Sequence, residues 1–411
     1  MSKRKSTTGV SNAASEPTLT LSVVSEIASV PAADWDRLAN PVPTTFNPFV
    51  AHAFLKALED SGCVGPRTGW QPQHLVLRRD GGEDAGIVGL APAYLKSHSK
   101  GEYVFDYGWA EAFERAGGRY YPKLQIAVPF TPVPGPRLLA GSGADADRIR
   151  QALASGAAQV ARRNGISSVH ATFLTDAEMG AACEVGYLHR TDQQFHWQNR
   201  GYVDFETFLQ TLSSRKRKAI RRERSGVVEA GIEVRTIEGA AITEAHWDAV
   251  HAFYMDTGGR KWGRPYLNRA FFSRLGETMA EHCVIVLATR DGRPIAGALN
   301  LKGGDCLYGR YWGSTEHHPF LHFEVCYYQA IEYAIRHHLP RVEAGAQGEH
   351  KLMRGYLPTP THSVHWIADR GFRQAVARYL DTERHHVARE IEALAEYAPY
   401  KRGATHEVEQ E

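Results

Sequence analysis

Several stretches of this sequence gather residue types that can move protons or hold anions. Glu343 closes a short strand-like run, RVEAG, and the small residues after it form a turn leading to Glu349, His350 and Lys351. A carboxylate or imidazole beside such a turn can act as a general base, directly or through water, and glycines let backbone approach a substrate closely. Upstream, Arg310 and Tyr311 precede a Trp312-Gly313 corner, with Tyr311 a candidate final proton donor, and His322 and Glu324 stand at the start of a helical pattern. Glu324 is equally suited to the positive end of a helix dipole. A third stretch, Ser213 to Arg224, carries Arg215, Lys216, Arg217, Lys218, Arg221, Arg222 and Arg224 against a single Glu223. Arg forks and Lys point charges suit phosphate, which makes Arg215, Lys218 and Arg222 candidate anion ligands, although a solvated helix face accounts for the same run. Near the middle of the first half, Tyr121 and Lys123 are further candidates, followed by PFTPVPGPR, whose prolines stiffen a segment fit for a cleft wall. His317, His318 and His322 lack the carboxylate or Cys spacing of a metal site, so no metal is expected.

These residues need elements to position them, and the sequence lays the elements out twice. In the first half LTLSVV reads as a strand, followed by helices around Asp34 and over Asn47 to Asp60. HLVLRRDGG and IVGLAPAYL then form a hairpin-like pair, with EYVFDYG and KLQIAVPF as further strands. A helix over Ala144 to Arg163 leads into SSVHATF. In the second half, helices over Glu244 to Met255 and Asn268 to His282 precede the strands CVIVLATRDG, PIAGALNL and CLYGRYWG, and a helix over Phe323 to His338 leads into RVEAG. Both halves place Arg-Asp-Gly at the first turn, continue with Ile-x-Gly, and close a third strand on Tyr107-Gly108 or Trp312-Gly313. The order describes a duplicated α+β unit with a mostly antiparallel sheet flanked by helices. Between the halves, Asp204 to Gly231 reads as one long helix with Phe205, Phe208, Leu209, Leu212 and Ile220 on its apolar stripe.

Composition narrows the classes. With 411 residues, 48 Lys and Arg against 46 Asp and Glu, and a net charge of +2, the chain is long enough for two domains and is not a general polyanion binder. Five scattered cysteines without a CxxC argue against a disulfide framework or structural zinc. No apolar run is long enough to span a membrane and the polar, basic N-terminus lacks a signal-like apolar core, so a cytoplasmic protein is expected. The reading divides the chain into a disordered tail (1–17), a first domain (18–200), a second domain with the basic helix and the proposed cleft (201–397), and a flexible tail (398–411).

The segments SSRKRKAIRRER, YWGSTEHHPFLHFEVCYYQAIEYAI, EAGAQGEHKLMRGYLPTPTHSVHW and DYGWAEAFERAGGRYYPKLQIAVPFTPVPGPRLL resemble a FemAB-like family of N-acyltransferases of the peptidoglycan biosynthesis or recognition type. The resemblance implies two tandem domains of the acetyltransferase (GNAT-like) fold and transfer of an acyl group to an amine. In Fem-like proteins a lysine after the glycine turn belongs to the site, and Lys351 matches it. Glu343 becomes the first candidate base for the amine, His322 and Glu324 its competitors, and Lys351 an oxyanion or phosphate ligand. Two departures stand out: no heptad run for the coiled-coil arm of Fem-type ligases, and no Gln/Arg-x-x-Gly-x-Gly/Ala phosphate signature. The expected reaction is direct transfer from an acyl-CoA-type co-substrate to a small-molecule amine, without a tightly bound cofactor or any DNA partner. An aminoacyl-tRNA-dependent ligase acting on a cell-wall precursor, and a non-catalytic precursor-binding protein, are the alternatives.

Overall fold

The repeated layout is realised in the computed structural model, which describes residues 18–81, 85–262, 265–345 and 348–401. The first half runs β1 (Thr18–Val24), α1 (Ala32–Ala39), α2 (His52–Asp60), β2 (Trp70–Pro72), β3 (His74–Asp80), β4 (Gly86–Ala91), β5 (Ala93–Lys96), α3 (Tyr107–Arg115), β6 (Lys123–Ile126), α4 (Ala146–Arg163), β7 (Ser168–Leu174), α5 (Asp176–Glu184) and β8 (Leu188–Gln198). After α6 (Phe205–Thr211) and α7 (Ser214–Glu229), the second runs β9 (Ile232–Glu238), α8 (Glu244–Trp262), α9 (Arg269–Met279), β10 (Cys283–Arg290), β11 (Arg293–Lys302), β12 (Cys306–Ser314), α10 (residues 321–336, with a π turn at Glu324–Tyr328), β13 (Arg341–Glu343), β14 (Leu357–Ile367) and α11 (Arg370–Glu396). Each half has a meander, a crossover helix (α4 or α10) and a parallel strand beyond it, β7 beside β6 and β13 beside β12.

The last strands are exchanged. β8 pairs antiparallel with β13 of the second half, and β14 pairs antiparallel with β7 of the first, over Ser168↔Ile367 to Leu174↔His362. β8 and β14 also pair with each other from Leu188↔His365 to His196↔Leu357. The result is one eleven-stranded sheet in the order β2-β5-β6-β7-β14-β8-β13-β12-β11-β10-β9, with β1-β3-β4 as a small second sheet. Thus the final strand of each expected unit completes the sheet of the other, and α11 packs over β8 and β14.

Three expectations are corrected. EYVFDYG is not a strand, because the Glu102 and Asp106 carboxylates turn inward to Lys123 and the backbone loops around them; the third strand of the first half is β6, and Tyr107-Gly108 opens α3. The helix over Asp204 to Gly231 is broken, since Leu212 is extended and fully buried and its segment pairs with residues 399–401. Ser213 N–H donates to Pro399 O at 2.9 Å and Lys401 N–H to Thr211 O at 2.9 Å, so residues 398–401 are bound where a tail was expected. The tail expected at 1–17 lies outside the described residues, as do residues 402–411.

The two strands with apolar runs, β10 and β11, are buried on both faces under α8, α9 and α10. α8 comes so close to β12 that a Cβ on Gly313 would stand 2.0 Å from Phe253 O, which is why the Trp-Gly corner needs its glycine. Among the described residues no helix is long and apolar enough to cross a membrane.

A polar knot lies inside the first half. Lys123 is fully buried and its ammonium donates to Ser99 Oγ (2.8 Å), to Glu102 Oε2 (2.7 Å) and to Asp106. Burial lowers its pKa, but the two carboxylates outweigh this and hold it above the usual lysine value. Tyr120 Oη donates to Asp106 Oδ2 at 2.6 Å, and His170 faces both Ser168 Oγ (2.7 Å) and, through Nδ1, His365 Nδ1 (2.7 Å). Burial pushes the His170 imidazole down to about 3, helped by the Lys123 charge, and His365 well below its ordinary value. Both rings are therefore neutral in the fold, whereas the unfolded chain protonates them near pH 6.5. Stability is fully present above that pH and falls as pH drops toward 3, by about 2 kcal/mol per buried histidine at pH 5. Urea midpoints should therefore fall clearly between pH 7.5 and pH 5; equal midpoints would show that the pair is solvated.

Candidate active site

The parallel ladder between β12 and β13 is only three residues long, Cys306↔Arg341 to Tyr308↔Glu343. Beyond it β12 stays with β11, with a bulge at Leu299/Asn300 that leaves Arg310 without a ladder partner, while the chain after Glu343 turns away through Gly345 at φ +79°. The strands part, and a cavity of about 750 Å³ opens between them. Its floor is Arg310, Tyr311 and Ala344; α10 contributes His322 and Tyr327, and the 3-10 turn after the glycines contributes His350 and Lys351. Tyr254 and Thr257 of α8 and Tyr103, Phe105 and Pro132 of the first half wall the other side. The equivalent parting after β6 and β7 is closed, because the proline-rich segment after β6 is tied across it by Gly135 N–H donating to Phe173 O at 3.0 Å.

Lys351 is 2% exposed, and its ammonium donates to Gly345 O at 2.7 Å. Burial lowers its pKa to about 7; Cys326 pulls it the other way, and the Arg310 charge adds to the lowering. A lysine poised near neutrality on a cavity wall can hold or release a proton at working pH. His322 lies in an aromatic nest, its ring centroid 5.0 Å from Trp312, 5.3 Å from Tyr327 and 5.7 Å from His350. Tyr327 Oη and His350 Nε2 are 2.8 Å apart, and burial raises the Tyr327 phenol. The Tyr311 phenol is likewise raised by burial, and the Arg310 guanidinium beside it donates to Phe130 O at 3.0 Å.

The structure thus brings together Tyr311, His322 and Lys351 and separates the other expected residues. Glu343 is buried one position short of the cavity; Oε1 accepts from Arg341 Nε at 3.2 Å, while Oε2 has no hydrogen-bond partner and lies 4.0 Å from His196 Nε2. Glu324 points away into a fork from Arg224, accepting at 3.0 and 3.1 Å, and accepts from Gln329 Nε2 at 2.7 Å, so it neither caps the helix nor reaches the cavity. It ties α7 to α10 through that ion pair. Lys123 is not an anion ligand, because its charge is spent on Glu102 and Asp106, and Tyr121 Oη is 2.8 Å from Ser99 Oγ beside it. Arg215, Lys218 and Arg222 form an exposed stripe at i, i+3 and i+7 on α7, without ion pairs among the described residues and outside the cavity. The side chain of Glu349 lies outside the described residues.

Asp192 of β8 was not expected, and it is the only carboxylate among the described lining residues. It reaches the cavity only because β8 crosses into the second half's sheet, a pairing with no local signal in the sequence. Among the described residues no group of three or more His, Cys, Asp or Glu is arranged to hold a metal ion.

A buried lysine kept near neutrality is a stability cost that a function must justify. Lys351→Met, which fits the same volume, should raise the unfolding free energy measured in urea at pH 7 by about 1 to 3 kcal/mol, and the midpoint with it. A lower midpoint would make the amine a structural tie to Gly345 instead.

The model of the FemAB-like family, described as peptidoglycan biosynthesis/recognition, matches residues 26–402. Among solved structures, that of FemX is similar with a TM-score of 0.53 at 12% identity, over 85% of this chain and 98% of that one. L-PGS from Bacillus licheniformis matches at 0.49 and 10% identity, over 82% of this chain and 96% of that one. A tandem GNAT protein from the clavulanic acid biosynthesis pathway matches at 0.46 and 14% identity, over 86% and 99%. At 12% identity the likeness to FemX is one of fold, and the repeated meander, crossover helix and parallel strand make the architecture one of two acetyltransferase-like (GNAT-like) halves in tandem. No curated protein matches the sequence.

Proposed function

Because this chain belongs to the FemAB-like family, we propose that it is a cytoplasmic N-acyltransferase whose reaction takes place in the cavity between β12 and β13. The observation that carries this reading is the open parting of those strands, with Lys351, His322 and Tyr311 on its walls. An acyl donor with its carbonyl in the parting is attacked by a neutral amine; the C–N bond forms, the bond to the leaving group breaks, and the amine proton must be taken up. His322 is the proposed proton acceptor, standing in for Glu343, which is buried behind the cavity floor. The Lys351 ammonium stabilises the oxyanion as it develops, and Tyr311 returns a proton to the leaving group.

The proposed donor is an acyl-CoA-type thioester and the proposed acceptor a small-molecule amine of peptidoglycan-related chemistry. A second reading, an aminoacyl-tRNA donor, is favoured by the three unpaired cations Arg215, Lys218 and Arg222 along α7, which suit a phosphate backbone.

Purified full-length chain assayed with acyl-CoA thioesters and a pool of amines, by free-thiol release, and in parallel with charged tRNA, separates the two donors. Turnover should drop by about 100-fold or more in His322→Ala and Lys351→Met, while Glu324→Gln should lose stability and keep its rate. Since Lys351 discharges near pH 7, kcat should fall on the alkaline side, and Lys351→Arg, which stays charged, should abolish that limb. No turnover with either donor, or an alkaline limb unchanged in Lys351→Arg, would count decisively against these assignments.

A further inference from the structure

Beside the reaction cavity lies a larger one, of about 960 Å³, that the transfer chemistry leaves unused. It sits at the junction of the halves, between the turns following α2 and β5 on one side and α8 and the start of α9 on the other. Its described lining residues include Arg67, His98, Lys100, His251 and Arg269, and no carboxylate. Arg269 is already committed to Glu244 and Asp248, at 2.6 and 2.8 Å. Arg67 and Lys100 are exposed, and neither side chain has a partner. The turns that carry them are fixed to one another in advance: His98 Nε2 is 3.0 Å from Thr68 O, Trp70 Nε1 donates to Lys100 O at 3.1 Å, and the buried Lys96 ammonium donates to the same carbonyl at 3.2 Å. Two unpaired cations on a braced, concave and carboxylate-free wall concentrate positive potential where a ligand would enter.

The two cavities share a boundary. Tyr266 lines both, and it stacks on Phe130 of the larger cavity with centroids 4.7 Å apart and planes 7° apart. Phe130 adopts φ +59°, a left-handed conformation that is costly for an aromatic residue, and its N–H donates to Gly101 O at 3.2 Å. Gly101 has to be glycine, because a Cβ there would stand 2.7 Å from the Phe130 ring. Backbone strain is thus spent on holding one ring at the threshold between the chambers.

We propose that this second cavity binds the anionic end of the amine substrate, seating a phosphate or carboxylate on Arg67 and Lys100 while the amine passes the Phe130–Tyr266 stack into the first cavity. The assignment of the ligand as the amine substrate rests on the transferase reading; the anion site itself does not.

The test is calorimetric titration of the full-length protein, at low and at 0.3 M salt, with inorganic pyrophosphate and with tricarballylate, which separate phosphate from carboxylate as the preferred group. Saturable binding of at least one probe is expected, weakened about tenfold or more by Arg67→Ala and by Lys100→Ala, further by the pair and by salt, and unchanged by Arg148→Ala/Arg163→Ala, two exposed cations of α4. Both replaced residues are exposed, so the fold should survive, and circular dichroism checks that it does. No saturable binding of either probe, binding that survives the double variant, or binding lost equally with the α4 variants would overturn the site. Anion binding without acyl transfer from any donor would leave the site standing and remove the transferase reading, whereas transfer without anion binding would do the reverse.

Discussion

The exchange of β8 and β14 is the constraint on which the rest of the molecule depends. Each half, taken alone, would end its sheet on an exposed strand with unpaired backbone groups, β7 in one and β13 in the other. By lending its last strand to the other, each half buries that edge, and because β8 and β14 also pair together the two sheets become one. The relative position of the halves is therefore set by backbone hydrogen bonds rather than by a side-chain interface. That rigidity lets Tyr103, Phe105 and Pro132 of one half serve as walls for a cavity whose floor belongs to the other.

Within that frame the halves have diverged in how they use the same geometry. The short parallel ladder and the parting beyond it exist twice, but in the first half the proline-rich segment after β6 fills the gap, and the buried charges nearby are spent on one another. Lys123 and Lys351 make the contrast plain. Both are buried lysines, yet one is enclosed by two carboxylates that keep it charged, and the other has only a backbone carbonyl and drifts to neutrality. Burial alone does not decide what a lysine can do; the presence or absence of a nearby carboxylate does.

Much of this was legible in the sequence where signals are local. The meander β10 to β12, the crossover helices and the turn before Lys351 follow from apolar runs, helical periodicity and glycines. What failed depended on partners far along the chain. Glu102 and Asp106 alternate with apolar residues as a strand would, and only the presence of Lys123 inside the fold turns them inward. Glu343 has the right position on the right strand, but the cavity begins one residue later, where the ladder has already ended. Glu324 and Asp192 exchanged expectations for the same reason: an ion pair with α7 claims the first, and a strand borrowed from the other half delivers the second.

The exchanged strands also bear on how the molecule comes into being. β7 finds its neighbour β14 nearly two hundred residues later, so most of the first half can be synthesised and collapsed while its sheet still lacks a member. Such distant pairing slows folding and prolongs the exposure of an unpaired edge during translation. The β7 edge, buried on both faces once complete, is then the point at which a nascent chain would recruit a second copy of itself, and a pause before residue 357 would favour a swapped dimer over the single-chain sheet.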